Sequence, residues 1–388
     1  MQHVDKRSKR SNFVNVQLSH VVPTKHADVN RVRTGFERLV AHRTSNSFCG
    51  VAKSDGVVSH IDVLAKMIRV DYKDGETDIF TFGEDFKEIS GFLITQRMEI
   101  LVKQGDKVKA GDIVCYNKDF FRVDPYSNQL DYVIGTNANV ALMEGEGTNQ
   151  DSNKITRSFG AKLGMYPAAA RVVELRSTDV LHQIVSVGQH VANTDILAIF
   201  EEGDSGDVFG TADEETKALL SKMNRKTPKA KYTGKVSRIE AYYSAPLTEM
   251  HPSVKAAVVS ASKEKNAKAK FVRGTEYEDN YNTVEMLPVG TKYKGITFEA
   301  DTVAFVIYIQ EEEDHGMGDK LVLANQLKST TMGVMIDPPV TESGVEVDIL
   351  FSSNKIAGRV VTSPYTVGVS NRVLEELEFQ VCDMYFDE

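Results

Sequence analysis

No run of about 18 apolar residues occurs in the sequence, so no membrane-spanning helix is expected. The first residues, Met1-Gln-His-Val-Asp-Lys-Arg7, lack the apolar stretch of a secretory signal. Cysteine is scarce: Cys49, Cys115 and Cys382 are odd in number and far apart. That spacing excludes a zinc ribbon and suits a reducing cytoplasm. Several catalytic signatures are also missing. No Gly-x-Gly-x-x-Gly follows a strand pattern, and there is no Walker A loop, no Gly-x-Ser-x-Gly elbow and no His-Glu-x-x-His. Dinucleotide, P-loop, serine-hydrolase and zincin chemistries therefore have no support.

What is present is enough chain, 388 residues, for two or three domains with a sizeable core. A hydrophobic share of 41% beside 26% charged residues reads as globular. The net charge of -9 argues against a general nucleic-acid binder, but the charge is segregated. Residues 1–43 hold nine Lys/Arg and three Asp/Glu, residues 222–238 hold seven Lys/Arg and no acid, and residues 372–388 hold six acids and one Arg. One reading is two phosphate-facing surfaces and an acidic tail for a basic partner; the other is ordinary solvated faces.

Strand patterns dominate. Val57–Val63, Met67–Tyr72, Val133–Met143, Thr302–Ile309 and Val345–Leu350 are rich in β-branched residues. Few helices are expected: one from the capping box Thr211-Ala-Asp-Glu214, another near Asn371–Phe379. The rest reads as short strands and turns, so barrels are favoured over an α/β layer fold. One pattern recurs. Val102–Val114 has a turn glycine, an apolar step, a second turn and a strand, and Val185–Leu197 repeats it more loosely. The first glycine supplies positive φ, and apolar residues alternate into a small barrel. Carrier domains share this motif, so it carries little function alone. Residues 201–215 read as an exposed acidic loop in which Asp204 and Asp207 do not match an EF-hand. Residues 222–231, containing Pro228, read as a basic linker or loop tip.

Glu311-Glu-Glu-Asp-His315 has metal-ligating residue types, but consecutive residues do not converge easily on one ion, so it reads as a charged loop. Gly318-Asp319-Lys320 follows, and Lys328 stands eight residues on. Lysines held on a Gly-containing loop present compact charges suited to phosphates. Beyond them lie Gly344-Val-Glu-Val-Asp-Ile-Leu350 and Gly358-Arg359.

In this order the segments resemble the β subunit of cellular DNA-dependent RNA polymerases. That family carries Gly-Asp-Lys, a second lysine in His-Gly-Asn-Lys, Gly-x-Pro-Val-Asp-Ile, then Ser-Arg-Met-Asn. The resemblance extends upstream. Ile134–Met143 and Gly147-Thr-Asn-Gln-Asp151 are similar to the family's Gly-Arg-Asn-x-x-Val-Ala-Phe-Met and Gly-Tyr-Asn-Phe-Glu-Asp. Val22-Pro-Thr24, Thr34-Gly-Phe-Glu-Arg38 and Gly50-Val-Ala-Lys-Ser-Asp-Gly-Val-Val58 resemble its Val-Pro-Thr, Thr-Gly-Met-Glu-Arg and Val-Ala-Lys-Arg-Gly-Gly-Val-Val. Three departures stand out. Lys328 sits in Asn325-Gln-Leu-Lys without His or Gly, Arg359 sits in Gly-Arg-Val-Val, and one acid, Asp151, stands where the family has two.

The resemblance implies a mainly β chain with few helices. It implies a double-psi β-barrel whose first half, 1–160, carries an inserted hammerhead-like small barrel, a flap-like region at 161–290, and the second half of the barrel with a C-terminal tail at 291–388. Lys320 and Lys328 would face the RNA 3′ end and incoming nucleotide, Arg359 and Arg10 the nucleotide phosphates, and Asp151 would at most help place a metal indirectly. Nucleotidyl transfer uses two metal ions; in this family an Asp-Phe-Asp-Gly-Asp loop on the β′ subunit holds Mg2+. This sequence has no such loop. The implied partners are a β′-type subunit, an N-terminal β-type subunit, DNA template, RNA and nucleoside triphosphates, with no membrane. A β subunit split into separate polypeptides, diverged to this degree, resembles those of giant bacteriophages, which implies an infected host's cytoplasm and leaves virion packaging open. Two other readings stand beside this one. One is a biotinyl-like carrier using Lys66 in Ala65-Lys-Met67, although no turn residue flags that site. The other is a polymerase-like structural protein without activity.

Overall fold

The computed structural model describes residues 21–89, 91–125, 127, 129–148, 151–203, 224–281, 285–323, 327–354 and 363–385. Arg10, Arg359, the Thr211 capping box and the Asp204/Asp207 loop lie outside the described residues. The fold is mainly β, as the strand patterns indicate.

Thr302–Gln310 shows how the sequence builds the centre. It is apolar along nearly its whole length, and all but its last residue is buried. Such a run is stable only with both faces covered and both edges paired. It lies between antiparallel Pro167–Arg176 and Gly234–Tyr243 in a six-stranded sheet. Val173, Val236, Val303, Phe305 and Ile307 form its largest buried cluster with Leu197, Phe200, Val254 and Val258. The last two come from the helix Pro252–Ala261, which with Lys263–Val272 was not anticipated from sequence. The final helix, Ser363–Tyr385, contains the expected Asn371–Phe379 and is longer. Among the described residues no helix is long and apolar enough to cross a membrane.

The recurrent turn pattern builds two units of one design. Gly105 and Gly188 both have φ of 92°. Each unit has two turns in which a side chain accepts the backbone N–H three residues earlier. In the first, Asp106 accepts from Lys103 at 2.7 Å and Asp112 from Lys109 at 2.8 Å. In the second, Gln189 accepts from Ser186 at 3.1 Å and Asp195 from Ala192 at 2.9 Å. Each hairpin docks on a partner segment through matching bonds. The Val58 N–H donates to Asp106 O at 2.9 Å and that of Val236 to Gln189 O at 2.8 Å. Likewise the Ala52 and Ala230 N–H groups donate to Asp112 O and Asp195 O, both at 2.9 Å. The partner segments are Ala52-Lys-Ser-Asp-Gly-Val-Val-Ser59 and Ala230-Lys-Tyr-Thr-Gly-Lys-Val-Ser237. The first precedes its hairpin and the second follows it, so the two copies are permuted. Gly56 and Gly234 are needed for close approach: a Cβ would lie 2.5 Å from Asp71 O or Gln310 O.

Three expectations are corrected. Within Val133–Met143 only Val140–Leu142 is strand. Gly135 takes φ of 78°, its carbonyl accepts the Asp28 N–H at 2.9 Å, and the Asp28 carboxylate accepts the Asn137 N–H at 2.9 Å. Val345–Leu350 is strand only from Ile349, because Val347 folds back to donate its N–H to Pro339 O at 2.9 Å. The described part of 222–231 is not a linker. Arg225–Lys226 pairs with Phe200 and Glu201, Pro228 O accepts the Leu197 N–H at 2.8 Å, and Ala230 is fully buried.

Candidate active site

The five-stranded sheet runs in the order Val140–Leu142, Ile349–Phe351, Ser152–Thr156, Leu327–Met335, Lys320–Leu323. It joins segments distant in sequence. Val140–Leu142 pairs in parallel with Ile349–Phe351, and Ser152–Thr156 in parallel with the Leu327 strand. Asp348 locks the first junction: its carboxylate accepts the Asn139 N–H at 2.8 Å, and its N–H donates to Asn139 O at 2.9 Å. Glu144 locks the far end, accepting from the Ser352 hydroxyl at 2.8 Å and the Asn354 N–H at 3.2 Å. The Asn354 N–H, then the Ser352 hydroxyl, hold its carboxyl below the ordinary range.

Lys320–Leu323 and Leu327–Met335 pair antiparallel, with Lys320 opposite Thr330 and Val322 opposite Lys328. Opposed residues share a face and neighbours along a strand alternate. Lys320 and Lys328 are therefore diagonal neighbours on one face, a relation that spans about 7–8 Å. Both are exposed, whereas Leu321, Leu323 and Leu327 turn the other way onto Ile155, Phe159, Ile349 and Phe351. The Gly-Asp-Lys turn sets the start of this strand. Gly318 has φ of 98°, a conformation that favours glycine, and its N–H donates to Thr331 O at 2.8 Å. The Asp319 carboxylate accepts the Gly316 N–H at 2.9 Å. Lys320 thereby leaves the turn directly into strand.

Asp151 is half-buried just before Ser152–Thr156, and its carbonyl accepts the Thr330 N–H at 2.9 Å. Because Thr330 stands opposite Lys320, the backbone brings together all three expected residues that are described. Arg10 and Arg359 lie outside the described residues.

The residues Glu311–His315 diverge. Glu312 pairs with Lys25, the Glu313 backbone bridges to Met165, and His315 turns inward to Thr331 at 2.8 Å. Burial pushes the His315 imidazole below its ordinary value. Among the described residues no three His, Cys, Asp or Glu side chains are grouped to hold a metal ion. Two exposed lysines on one sheet face present charge suited to anionic groups.

Lys66 sits in a turn after all, with φ of 56°, closing the hairpin between Gly56–Asp62 and Met67–Tyr72. It is no swinging arm. Ala65 and Met67 are fully buried, and its ammonium pairs with Glu264 at 3.1 Å.

Sequence reading missed Glu144, Asp348, Asn153 and Thr331. Asp348 lies in a recognised block, but nothing in the sequence names its partner.

No family model matches the chain. Over part of its length it is similar to proteins named DNA-directed RNA polymerase subunit beta. It is 32% identical to that of a Caulobacter species over 208 residues, which take in 48% of this chain and 14% of the relative. The Gluconobacter oxydans subunit is 28% identical over 217 residues, 54% of this chain and 14% of the relative. That of Syntrophotalea carbinolica is 26% identical over 205 residues, 48% and 14% respectively. The chain thus spans a small part of these relatives, and about half of it is distantly related to the β subunit of DNA-directed RNA polymerase.

Proposed function

We propose that the chain is a β-type subunit of a DNA-dependent RNA polymerase, and that Lys320 and Lys328 hold the RNA 3′ end and the incoming nucleotide. The observation that carries this reading is the exposed placement of both lysines on one sheet face beside Asp151. The relatives' names support the same class of complex.

In this reading two ammonium groups offset the negative charge of the triphosphate and hold it in line with the RNA end. Arg359 and Arg10 add phosphate contacts. Mg2+ is held by aspartates of a β′-type partner, with Asp151 acting at most on its surroundings; Mg2+ supplies the activation of the attacking hydroxyl and the stabilisation of pyrophosphate. The chain works with an N-terminal β-type subunit, template DNA and RNA. In this reading the chain from 1–160 and 291–388 supplies two halves of a double-psi β-barrel and 161–290 a flap-like region, and the chain resembles the split β subunits of giant bacteriophages. The sheet uniting Val140–Leu142 and Ser152–Thr156 with three later strands supports the split-barrel part of this assignment. The chain then works in an infected bacterium's cytoplasm or in the virion.

The test is purification with its co-eluting chains, followed by elongation assays on the assembled complex. A partner with an Asp-Phe-Asp-Gly-Asp sequence is expected. Lys320→Ala and Lys328→Ala abolish elongation without preventing assembly, and Arg359→Ala mainly raises the nucleotide KM. Normal elongation by either lysine variant sinks the assignment, and a wild-type complex with no such partner and no elongation favours the inactive structural protein.

A further inference from the structure

We infer that Thr331 and Asn153 are positioning residues that hold Lys320 and Lys328 outward; the consequence for nucleotide addition rests on the function proposed above. Directly beneath the lysine face lies a polar chain of four side chains. The Asn153 Nδ2 donates to Ser329 Oγ at 2.7 Å, and Thr331 Oγ1 donates to Asn153 Oδ1 at 3.0 Å. Thr331 has one hydroxyl proton, which goes to Asn153. Its oxygen therefore accepts from His315 Nε2 at 2.8 Å, which fixes His315 as the Nε2–H tautomer. Asn153 and Thr331 are 0% exposed and Ser329 4%, so solvent cannot replace a lost partner.

Thr331 also joins the two parts of the site through its backbone. Its N–H donates to Asp319 O and its carbonyl accepts from Gly318 N–H, both at 2.8 Å. One residue thus bonds the Gly-Asp-Lys turn, the strand carrying Lys328, and through Asn153 the strand that follows Asp151. The carboxamide of Asn153 spans Ser329 and Thr331, two residues apart on one face of their strand. This pair sets strand parity. A one-residue slip turns every side chain over. Both hydroxyls would then leave Asn153, and Lys328 and Thr330 would point into the cluster of Ile155, Phe159 and Phe351. Apolar residues at 329 and 331 would tolerate either register with less penalty; the hydroxyl–carboxamide pair tolerates one.

The test uses the full chain and three variants. Thr331→Val keeps the shape and removes the hydroxyl, Thr331→Ser keeps the hydroxyl, and Ser329→Ala removes only the outer bond. Hydrogen exchange is followed at the amides of Lys320–Leu323 and Leu327–Met335. Acylation of Lys320 and Lys328 is measured by mass spectrometry against exposed Lys292. Thr331→Val is expected to speed exchange at both strands by about tenfold and to change the reactivity of both lysines relative to Lys292. Ser329→Ala gives a smaller change, and Thr331→Ser restores wild-type behaviour. In the assembled polymerase, Thr331→Val raises nucleotide KM more than it lowers kcat, and Thr331→Ser rescues it. The inference is overturned if Thr331→Val exchanges and acylates like wild type, or if Thr331→Ser is as impaired as Thr331→Val. Absent elongation by the wild-type complex overturns the polymerase reading alone, because exchange and acylation still decide the clamp.

Discussion

Removing the Asp348 carboxylate should loosen one edge of the five-stranded sheet and leave the other intact. Asp348 is bonded to two segments. Its carboxylate accepts the Asn139 N–H at 2.8 Å, its own N–H donates to Asn139 O at 2.9 Å, and its carbonyl accepts the Thr156 N–H at 2.9 Å. Asp348→Ala removes only the first. A hydrogen bond to a charged group contributes about 1.5–3 kcal/mol. Partial exposure of this pair lowers the expectation to about 1–2 kcal/mol. At about 1.4 kcal/mol per factor of ten, exchange at Val140–Leu142 and Ile349–Phe351 should quicken by about 5- to 30-fold. Asp348→Asn keeps the shape and a neutral acceptor, so its loss should be about 0.5–1 kcal/mol, or about 2- to 5-fold. Lys320–Leu323 lies at the opposite edge and serves as the internal control. Peptide-resolved hydrogen exchange on the three proteins reads all of this. The reasoning fails if Asp348→Ala protects Val140–Leu142 as well as wild type does, or if the Lys320 edge loosens equally.

Two further outcomes follow from packing and charge. Gly56→Ala should destabilise its unit by about 1–3 kcal/mol through overpacking, and Gly234→Ala should cost more, because its φ of 149° adds backbone strain to the same 2.5 Å approach. Urea midpoints for the pair decide it, and a Gly234→Ala protein no worse than Gly56→Ala refutes the comparison. Burial pushes the Glu264 carboxyl up, but Lys66 and Lys268, each at 3.1 Å, outweigh it and hold the group below its ordinary value. A depressed carboxylate contributes stability above its unfolded value, about 4.3, and loses it as pH falls through the folded value. Wild-type protein should therefore lose thermal stability more steeply than Glu264→Gln below about pH 4.3; equal acid slopes contradict this.

The fold class was legible because its signals are local. A β-branched run such as Thr302–Ile309 and the glycine turns at Gly105 and Gly188 depend on nearest neighbours, and both form as read. Permutation hid the second unit's partner segment: Ala230–Ser237 matches Ala52–Ser59 in spacing but lies on the other side of its hairpin. The helices at 252–272 were missed for another reason. Val254, Val258 and Val272 are their buried residues, so contact with the central sheet and neighbouring segments selects them more than a strong apolar stripe does. Val133–Met143 misled because composition marks a strand, whereas Asp28, far away in sequence, bends the chain at Gly135 and Asn137. At the candidate site, spacing and resemblance singled out Lys320, Lys328 and Asp151, which the backbone brings together. Asn153 and Thr331 are ordinary strand residues by type, and only their cross-strand contacts give them a role.

The paired units show how far a frame can constrain function. Equivalent inner positions match closely: Ala52 and Ala230 are 2% and 0% exposed, and Val58 and Val236 are both 0%. Equivalent outer positions match less well: Lys53 and Lys231 agree, but Asp55 and Val57 have no like counterpart. In the first unit Lys53 pairs with Asp78 at 2.7 Å, raising its ammonium through that contact, and Asp55 pairs with Lys73 at 3.1 Å. In the second, Thr233 replaces that acid, and Lys235 stands exposed where the first has Val57. Backbone bonds and buried methyl groups therefore fix the turn geometry, while solvent-facing positions vary without disturbing it. The lysine sheet follows the same division: Leu327, Ser329 and Thr331 hold the strand from below, and Lys328 occupies an outer position that the frame does not dictate. The proposed function therefore rests on the lysine residues at these outer positions and not on the fold that presents them.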